Sequence, residues 1–185
     1  MKIPDTTRLS FTFMTHNDAG QLFELDQDVE VMRYINGGKK TSMEEIHSRF
    51  IPRLESYANE SEGWGLWKVC TRLDELENGS SFIGWVLVRP MNFFSDAPQY
   101  HNLELGWRFK RLAWGKGYAT EAAKAVMETV CAPEKINTVS AIAIEDNTSS
   151  INVMKKLGMI FVKKAIHHDP LGEMELVFYQ KSLNN

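Results

Sequence analysis

The stretch Leu103-Glu-Leu-Gly-Trp-Arg-Phe-Lys-Arg-Leu-Ala-Trp-Gly-Lys-Gly-Tyr-Ala-Thr-Glu121 leads from a strand, through a glycine turn, into a helix. Apolar and polar residues alternate over its first eight positions, which predicts a half-buried strand. Between strand and helix, Gly115 and Gly117 open main-chain N–H groups toward the helix N-terminus, where free amides and the helix dipole favour an anion. The stretch therefore predicts that the chain binds a phosphate-bearing molecule. The helix is indicated by apolar residues that recur on one face: Ala119, Ala122, Ala123, Val126 and Val130.

The bulk composition narrows the class of protein. With 185 residues, 43% of them hydrophobic and 24% charged, residues 1–185 are expected to form a single domain with a sizeable core. The net charge of −3 argues against nucleic acid as the main partner. No apolar run has the length of a membrane span and residues 1–7 show no signal peptide, so we expect no membrane association and a cytoplasmic location. Cys70 and Cys131 lack metal-ligand spacing and are expected to be buried thiols, and no metal site is predicted.

Periodicity along the rest of the chain predicts one α/β domain with a mixed sheet. The first helix is expected to run unbroken from Asn17 to Asn36, and a second to follow the capping box of Ser42 and Glu45, kinked or divided at Pro52. A short helix is expected over 147–158. Strands are predicted over residues 8–14, 63–70, 81–88, 138–144, 159–166 and 173–181, with a hairpin loop at 74–80 and a longer loop at 90–102 that carries Phe93, Phe94 and Tyr100.

Four side chains that suggest a functional role also have a simpler structural explanation. His167 and His168 are adjacent on a predicted strand, so they should point to opposite faces and mark a solvated strand end rather than a metal or base site. Arg108, beside the glycine turn, is expected to be solvated, as is Lys116.

The order of elements, together with three motifs, resembles the GNAT fold of acyl-CoA-dependent N-acetyltransferases, and within it the RimJ/RimL-like branch. The segment Trp114-Gly-Lys-Gly-Tyr-Ala-Thr-Glu-Ala122 is similar to the coenzyme A loop of that branch. Residues 145–158 resemble its asparagine–serine helix with a Leu-Gly end. Arg8-Leu9, with 18–19 and 28–34, resembles its opening strand and helix. The resemblance implies a single-domain α/β fold with a mixed central sheet flanked by helices, and acetyl-CoA as cofactor.

The resemblance also implies roles for individual residues. Main-chain N–H groups of about 113–119 would hold the pyrophosphate, and Asn147 would contact the pantetheine arm where two neighbouring strands splay apart. Ser150 would lie near the thioester sulfur, and Glu104 would be the general base. The full set implied to bind the cofactor is Trp107, Phe109, Ala113, Trp114, Gly115, Lys116, Gly117, Tyr118, Ala119, Thr120, Asn147 and Ser150.

The chemistry of acetyl transfer independently agrees with this placement. An amine attacks a thioester only when deprotonated, and a carboxylate such as Glu104 can hold the ammonium and relay its proton. The developing oxyanion needs an N–H donor and the departing thiolate a proton, which Ser150 could supply. Met154 stands where the superfamily often has a tyrosine acid. Each residue could instead have a purely structural role. Glu104 could lie on the solvent face of its strand, Asn147 could be a helix cap, and Ser150 could be an ordinary residue of the first helical turn.

The sequence therefore predicts transfer of an acetyl group from acetyl-CoA to a primary amine by direct attack. The branch resemblance implies a protein N-terminal α-amine as acceptor. A small-molecule amine (a polyamine, an amino-acid derivative or an aminoglycoside) and a non-catalytic acyl-CoA sensor stay open, as does a monomer or a homodimer. A nucleotide-binding module is disfavoured because Gly115-Lys-Gly117 lacks the Gly-Lys-Ser/Thr ending of a phosphate loop.

Overall fold

The computed structural model describes residues 1–72, 81–133 and 135–183. In these residues seven strands form one mixed sheet with the order β1-β2-β3-β4-β5-β7-β6. Neighbouring strands are antiparallel except β4 and β5, which are parallel. The predicted α/β fold with a mixed sheet is confirmed. The strands are β1 Leu9–Phe13, β2 Gly65–Thr71, β3 Phe82–Met91, β4 Gln99–Phe109, β5 Thr138–Ala143, β6 Ile160–Asp169 and β7 Gly172–Ser182.

Helices cover both faces of this sheet. Five α-helical segments are α1 Ala19–Leu25, α2 Val29–Asn36, α4 Ile51–Tyr57, α5 Tyr118–Val130 and α6 Thr148–Lys156, and a single turn, α3, spans Met43–Glu45. Buried faces of α5 and α6 pack with β1–β5 and β7 in the larger core. Residues of α1 and α4 form a second core on the opposite face with Leu66, Trp85 and Leu87. Of the predicted apolar face of α5, Ala122, Ala123, Val126 and Val130 are buried as expected, and Ala119 is half-buried.

The first helix is not continuous, contrary to the sequence prediction. It breaks between α1 and α2 because Asp28 adopts an extended backbone and its side chain accepts a hydrogen bond from the N–H of Glu30, which makes it an N-cap. Asp26, at the end of α1, is 2% exposed and binds the hydroxyl of Thr41 at 2.7 Å. The apolar residues keep helical spacing across this break, so their pattern alone does not reveal that Asp26 and Asp28 separate two helices.

In the second predicted helix, the structure agrees with the sequence prediction at the capping box and near Pro52. Ser42 and Glu45 form a capping box, with each side chain bound to the other residue's backbone N–H. A π-helical turn, Ile46–Phe50, then separates α3 from α4, and Pro52 occupies the first turn of α4. Proline is tolerated there because the first N–H groups of a helix need no intrahelical acceptor.

The predicted loop over 90–102 is shorter in the structure, where only 92–98 lie outside the two strands. Strand β3 continues through Pro90 to Met91, with a register shift between them, and β4 already begins at Gln99. Phe93 and Phe94 pack against the second core. The antiparallel pairing of β2 with β3 agrees with the predicted hairpin, whereas its connection over 74–80 lies outside the described residues.

Two further expectations concern solvent and membrane exposure. Cys70 and Cys131 are half-buried rather than fully buried, and burial raises the pKa of the Cys131 thiol to about 12. Among the helices of the described residues, none combines the length and apolar character needed to cross a membrane.

The feature that creates the site is a gap in the sheet. The parallel pairing of β4 with β5 covers only Asn102–Glu104 against Thr138–Ser140. Strand β4 runs on to Phe109 while β5 ends at Ala143, so the two strands diverge beyond Glu104. Main-chain groups of 105–109 on that edge are thus left without a strand partner, and a ligand can take the place of the missing strand.

Candidate functional site

A cleft of about 470 Å³ opens at this gap and extends under α1, α2 and α4. It brings together Glu104 and Trp107 from β4 with Asn147 and Ser150 from the start of α6. Its lining is mostly aliphatic and aromatic, with a small number of charged side chains. A largely apolar cleft with few converging polar groups is typical of a small-molecule site.

The glycine turn lies at the end of β4 and leads directly into α5. Gly115 and Gly117 have φ of +74° and +80°, a left-handed backbone that residues with a Cβ rarely adopt. Gly117 is the N-cap of the 13-residue α5, and no side chain caps the first amides of that helix. These uncapped N–H groups, at the positive end of the helix dipole, fit the phosphate groups of coenzyme A.

The side chains of the turn divide into buried and exposed groups. Phe109, Ala113 and Tyr118 belong to the larger core, so their main-chain atoms are what they can offer a ligand. Trp114 is 47% exposed, and its indole N–H donates to the carbonyl of Phe109 at 2.9 Å. The remaining predicted contacts are exposed or half-buried around the start of α5: Gly115, Lys116, Gly117, Ala119 and Thr120.

Arg8 anchors the turn from the other end of the chain. Its guanidinium donates to the Glu121 carboxylate through Nε at 2.8 Å and to the carbonyl of Lys116 through Nη1 at 3.1 Å. It also lies 4.5 Å from the Tyr118 ring centroid. Burial would raise the pKa of Glu121, but hydrogen bonds from Thr6 and Arg8 hold it below the ordinary value. No local pattern could have found this contact, because its partners are 113 residues apart.

Replacing Arg8 with alanine is expected to weaken acetyl-CoA binding by about 2- to 10-fold, the range of a partly exposed ion pair. The cause is loss of the bond that fixes the carbonyl of Lys116. Because the folded pKa of Glu121 is lowered, the anchor is fully present above the ordinary carboxyl pKa and is lost as the pH falls through the folded value. Calorimetric titration of acetyl-CoA measures the effect, with Lys124→Ala, on the exposed face of the same helix, as control. Equal affinities for both variants would contradict the anchoring role.

Glu104 is not on a solvent face: it is 4% exposed and paired with Arg89. The guanidinium donates from Nε to Oε2 at 2.8 Å and from Nη2 to Oε1 at 3.1 Å. The two residues are direct cross-strand neighbours on β3 and β4. Burial alone would lower the pKa of Arg89, but the facing Glu104 carboxylate raises it above its ordinary value. An ammonium group placed beside Glu104 would therefore have to bind the carboxylate's remaining lone pairs or displace Arg89.

Asn147 and Ser150 lie in the same cleft on one face of α6. Asn147 is the N-cap of that helix, and its side-chain oxygen accepts from the N–H of Ser150 at 3.2 Å. Asn147 is therefore a helix cap, as its structural interpretation predicted. The cap uses only the side-chain oxygen, so the amide NH₂ can bind a ligand. The half-buried Ser150 lines the cleft, and Met154 closes its floor at 1% exposure.

Several cleft residues were not identified from the sequence. The end of the cleft next to α4 is called the acceptor end below, and it is lined by Arg53 and Tyr57 of α4 and by Arg89 of β3. Arg53 also binds Asp169 at 2.6 Å. Burial raises the pKa of Tyr57 to about 12, so it is a neutral hydroxyl at working pH. Arg89 was not identified because it falls between the predicted strand 81–88 and the predicted loop 90–102, although the strand facing Glu104 was a place to look.

Two expectations about charged groups are corrected. Arg108 is not solvated: it lines the cleft and pairs with the buried Asp26 at 2.5 Å. His167 and His168 do point apart, but His167 lines the cleft and contacts the Phe178 ring, while the exposed His168 bonds Glu173. The described part of the chain brings no three His, Cys, Asp or Glu side chains together in a way that could hold a metal ion.

Comparison with known proteins agrees with this geometry. The sequence of residues 8–160, most of the chain, matches the protein family described as the acetyltransferase (GNAT) domain. The uncharacterized N-acetyltransferase YnaD of Bacillus subtilis is 28% identical over 164 residues, which cover 87% of this chain and 86% of that protein.

Two solved structures share the fold. The acetyltransferase (GNAT family) from Bacillus anthracis has a TM-score of 0.72 and 24% identity, covering 98% of each chain. RimL, a ribosomal L7/L12 α-N-protein acetyltransferase in complex with coenzyme A, also has a TM-score of 0.72 and covers 98% of each chain, at 14% identity.

Proposed function

The chain belongs to the GNAT acetyltransferases, which use acetyl-CoA, and from that premise we propose that it acetylates a primary amine by direct attack. The observation that carries the proposal is a cleft in which the divergent edge of β4 and the buried carboxylate of Glu104 meet the Asn147 cap of α6, while the same strand leads beyond the cleft into the glycine turn at the start of α5. We propose the α-amine of a protein N-terminus as acceptor, in line with the RimJ/RimL-like motifs.

The chain's own residues would hold the donor at two places. Main-chain N–H groups of 113–119 would bind the pyrophosphate, and the amide NH₂ of Asn147 would bind the pantetheine arm. When bound, acetyl-CoA supplies an activated acetyl group and a thiol leaving group. Trp107, whose side chain lines the cleft, would flank the arm.

Glu104 would take one proton from the acceptor ammonium, directly or through a water, and free the lone pair that attacks the thioester carbonyl. The new C–N bond forms, the C–S bond breaks, and the second proton of the nitrogen ends on the thiolate. Ser150 would relay that proton. The products are an N-acetylated acceptor, free coenzyme A and one proton passed from Glu104 to solvent.

A small-molecule amine is the second candidate acceptor, and the enclosure of the acceptor end favours it. Arg53 and Asp169 join α4 to the β6–β7 hairpin across this end of the cleft, with side chains only 15% and 13% exposed. A compact amine fits beneath this bridge, whereas a peptide must leave the cleft beside it.

The proposal is tested by measuring free coenzyme A released from acetyl-CoA with peptides and small amines. We expect release that depends on the acceptor, with mass spectrometry showing one added acetyl group on the amine. A non-catalytic sensor would bind acetyl-CoA, seen as a higher melting temperature, and release none with any acceptor. Stabilisation by ATP but not by acetyl-CoA or coenzyme A would instead support a nucleotide-binding module.

A further inference from the structure

Two arginines converge at the acceptor end of the cleft from different elements. Arg53 of α4 and Arg89 of β3 both face the ring of Phe94, with guanidinium carbons 3.8 Å and 5.4 Å from its centroid. Each is also paired with a carboxylate, Arg53 with Asp169 and Arg89 with Glu104. The two guanidiniums are thus held in place, with side chains 15% and 10% exposed.

Each of these guanidiniums has more N–H donors than its bound carboxylate uses. An arginine carries five N–H donors, but Arg89 binds its partner only through Nε and Nη2, and Arg53 only through Nη2. Within the described residues, no hydrogen bond uses Nη1 of Arg89 or Nε and Nη1 of Arg53. None of these three nitrogens is enclosed, since the fully enclosed polar atoms that lack a partner are those of Trp85 and Arg108. The donors therefore reach the solvent of the cleft.

The charge balance of this end indicates what can bind there. The two buried pairs, Arg53–Asp169 and Arg89–Glu104, sum to zero, as does the Arg108–Asp26 pair of the same lining. Glu173 also lines the cleft, but its side chain is 65% exposed and bonds to the exposed His168, so solvent screens its charge. A plain ammonium placed beside Glu104 would add one uncompensated charge, which is costly to desolvate. An acceptor that brings its own oxyanion restores neutrality and supplies an acceptor for the spare N–H donors. A polycation would instead place its extra charges against Arg53 and Arg89.

We propose that the acceptor carries a carboxylate within a few bonds of its reactive amine, and that Arg53 and Arg89 bind this carboxylate while Glu104 receives the ammonium. The inference rests on the proposed function, because it specifies the acceptor of the same reaction. Two sources offer this chemistry: a free α-amino acid, and a peptide N-terminus with an acidic side chain in its first two residues. Binding of the carboxylate by Arg89 also loosens its hold on Glu104, which exposes an oxygen for the ammonium proton.

The first experiment compares acceptors in matched pairs. Free coenzyme A release is measured for α-amino acids against the amines left by removing their carboxylates, for C-terminally amidated dipeptides with and without an acidic side chain, and for spermidine. In the wild-type protein we expect kcat/KM at least about 10-fold higher for the carboxylate-bearing member of a productive pair, the gain of a charge-assisted hydrogen bond. The class of acceptor with the higher kcat/KM, α-amino acids or acidic peptides, identifies which of the two sources supplies the carboxylate. Equal values within pairs, or a preference for spermidine, would overturn the proposal.

The second experiment reads binding without turnover. With coenzyme A present, an N-acetyl-α-amino acid and the acetamide of the decarboxylated amine are titrated by calorimetry. We expect the carboxylate-bearing product to bind about 10-fold more tightly, and failure of this preference would refute the inference even if acetyl transfer occurs. Conversely, no coenzyme A release with any amine, together with a clear carboxylate preference, would reject the proposed function alone.

Variants of Arg53 connect the preference to the structure. Arg53→Gln is expected to reduce the carboxylate preference to about 2-fold or less in both experiments, and Arg53→Lys to retain part of it, because a lysine keeps the charge but not the fork of donors. The double variant Arg53→Gln/Asp169→Asn removes both charges, so a loss that persists in it does not come from an orphaned carboxylate. Arg33→Gln, on the exposed side of α2, is the control and should keep the full preference. An unchanged preference in Arg53→Gln would exclude the assigned role.

Discussion

Replacing Glu104 with glutamine is expected to lower kcat by about 10²- to 10⁴-fold, the usual contribution of a positioned acid or base. Glutamine keeps the shape of the side chain and an oxygen for Arg89, but it cannot take a proton from the acceptor ammonium. The proposed donor site lies at the α5 turn and the α6 cap, so the dissociation constant of acetyl-CoA should change by less than about 2-fold. Steady-state rates and calorimetric titration of acetyl-CoA measure the two quantities separately.

The controls for this prediction address folding and the identity of the base. The variant leaves Arg89 buried beside a neutral partner, which destabilises the protein, so melting temperatures are compared and rates are measured well below the transition. Glu128→Gln, an exposed carboxylate of α5, should retain full activity. A Glu104→Gln variant with near wild-type kcat would show that another group, or water alone, accepts the proton.

Replacing Gly117 with alanine is expected to raise the dissociation constant of acetyl-CoA by about 10-fold or more. The φ of +80° at this position is a left-handed conformation that costs a residue with a Cβ roughly 1–2 kcal/mol. Space is not the problem, since an added Cβ would approach only Nη2 of Arg8, at 3.6 Å. The strain is relieved by rotating the peptide groups that point toward the phosphates, so donor affinity falls while kcat at saturating acetyl-CoA is largely kept.

The matched control for Gly117 is Gly20→Ala in α1. That glycine lies in a helix, has no atom within 4 Å of a built Cβ, and lacks a positive φ, so alanine should leave donor affinity unchanged and slightly stabilise the fold. Both variants are titrated with acetyl-CoA under the same conditions. Indistinguishable affinities of Gly117→Ala and wild type would show that the turn does not hold the donor.

Local patterns were sufficient to predict the strand, the glycine turn and the helix cap that are proposed to hold the donor. Alternation in 103–109, left-handed glycines at 115 and 117 and the Asn147 cap are each determined by residues adjacent in sequence. Periodicity and capping act over a few residues, so a single sequence contains the information for them. The α1–α2 break shows the limit of that reasoning, because a polar face at Asp28 is consistent with both a continuous helix and a new cap.

The acceptor side could not be predicted in the same way. Arg89 immediately precedes Pro90, and proline usually argues against a central strand; the predicted strand ended at residue 88 and the predicted loop began at 90, so Arg89 was placed in neither. In the structure β3 passes through Pro90 and sets Arg89 directly opposite Glu104. Arg53 and Asp169 are 116 residues apart and meet only through tertiary packing, as do Arg8 and Glu121. These contacts depend on which faces of the sheet each helix covers.

The divergence of β4 from β5 has a thermodynamic consequence for the whole protein. Main-chain groups at 105–109 have no strand partner on that edge, so a ligand that bonds to them completes the sheet. Anything that binds only the native state adds RT ln(1 + [L]/Kd) to its free energy of unfolding, about 2.7 kcal/mol at one hundred times Kd. Amide exchange along β4 should slow accordingly when donor is bound. The resistance of this protein to unfolding and proteolysis is then coupled to the supply of its own acyl donor.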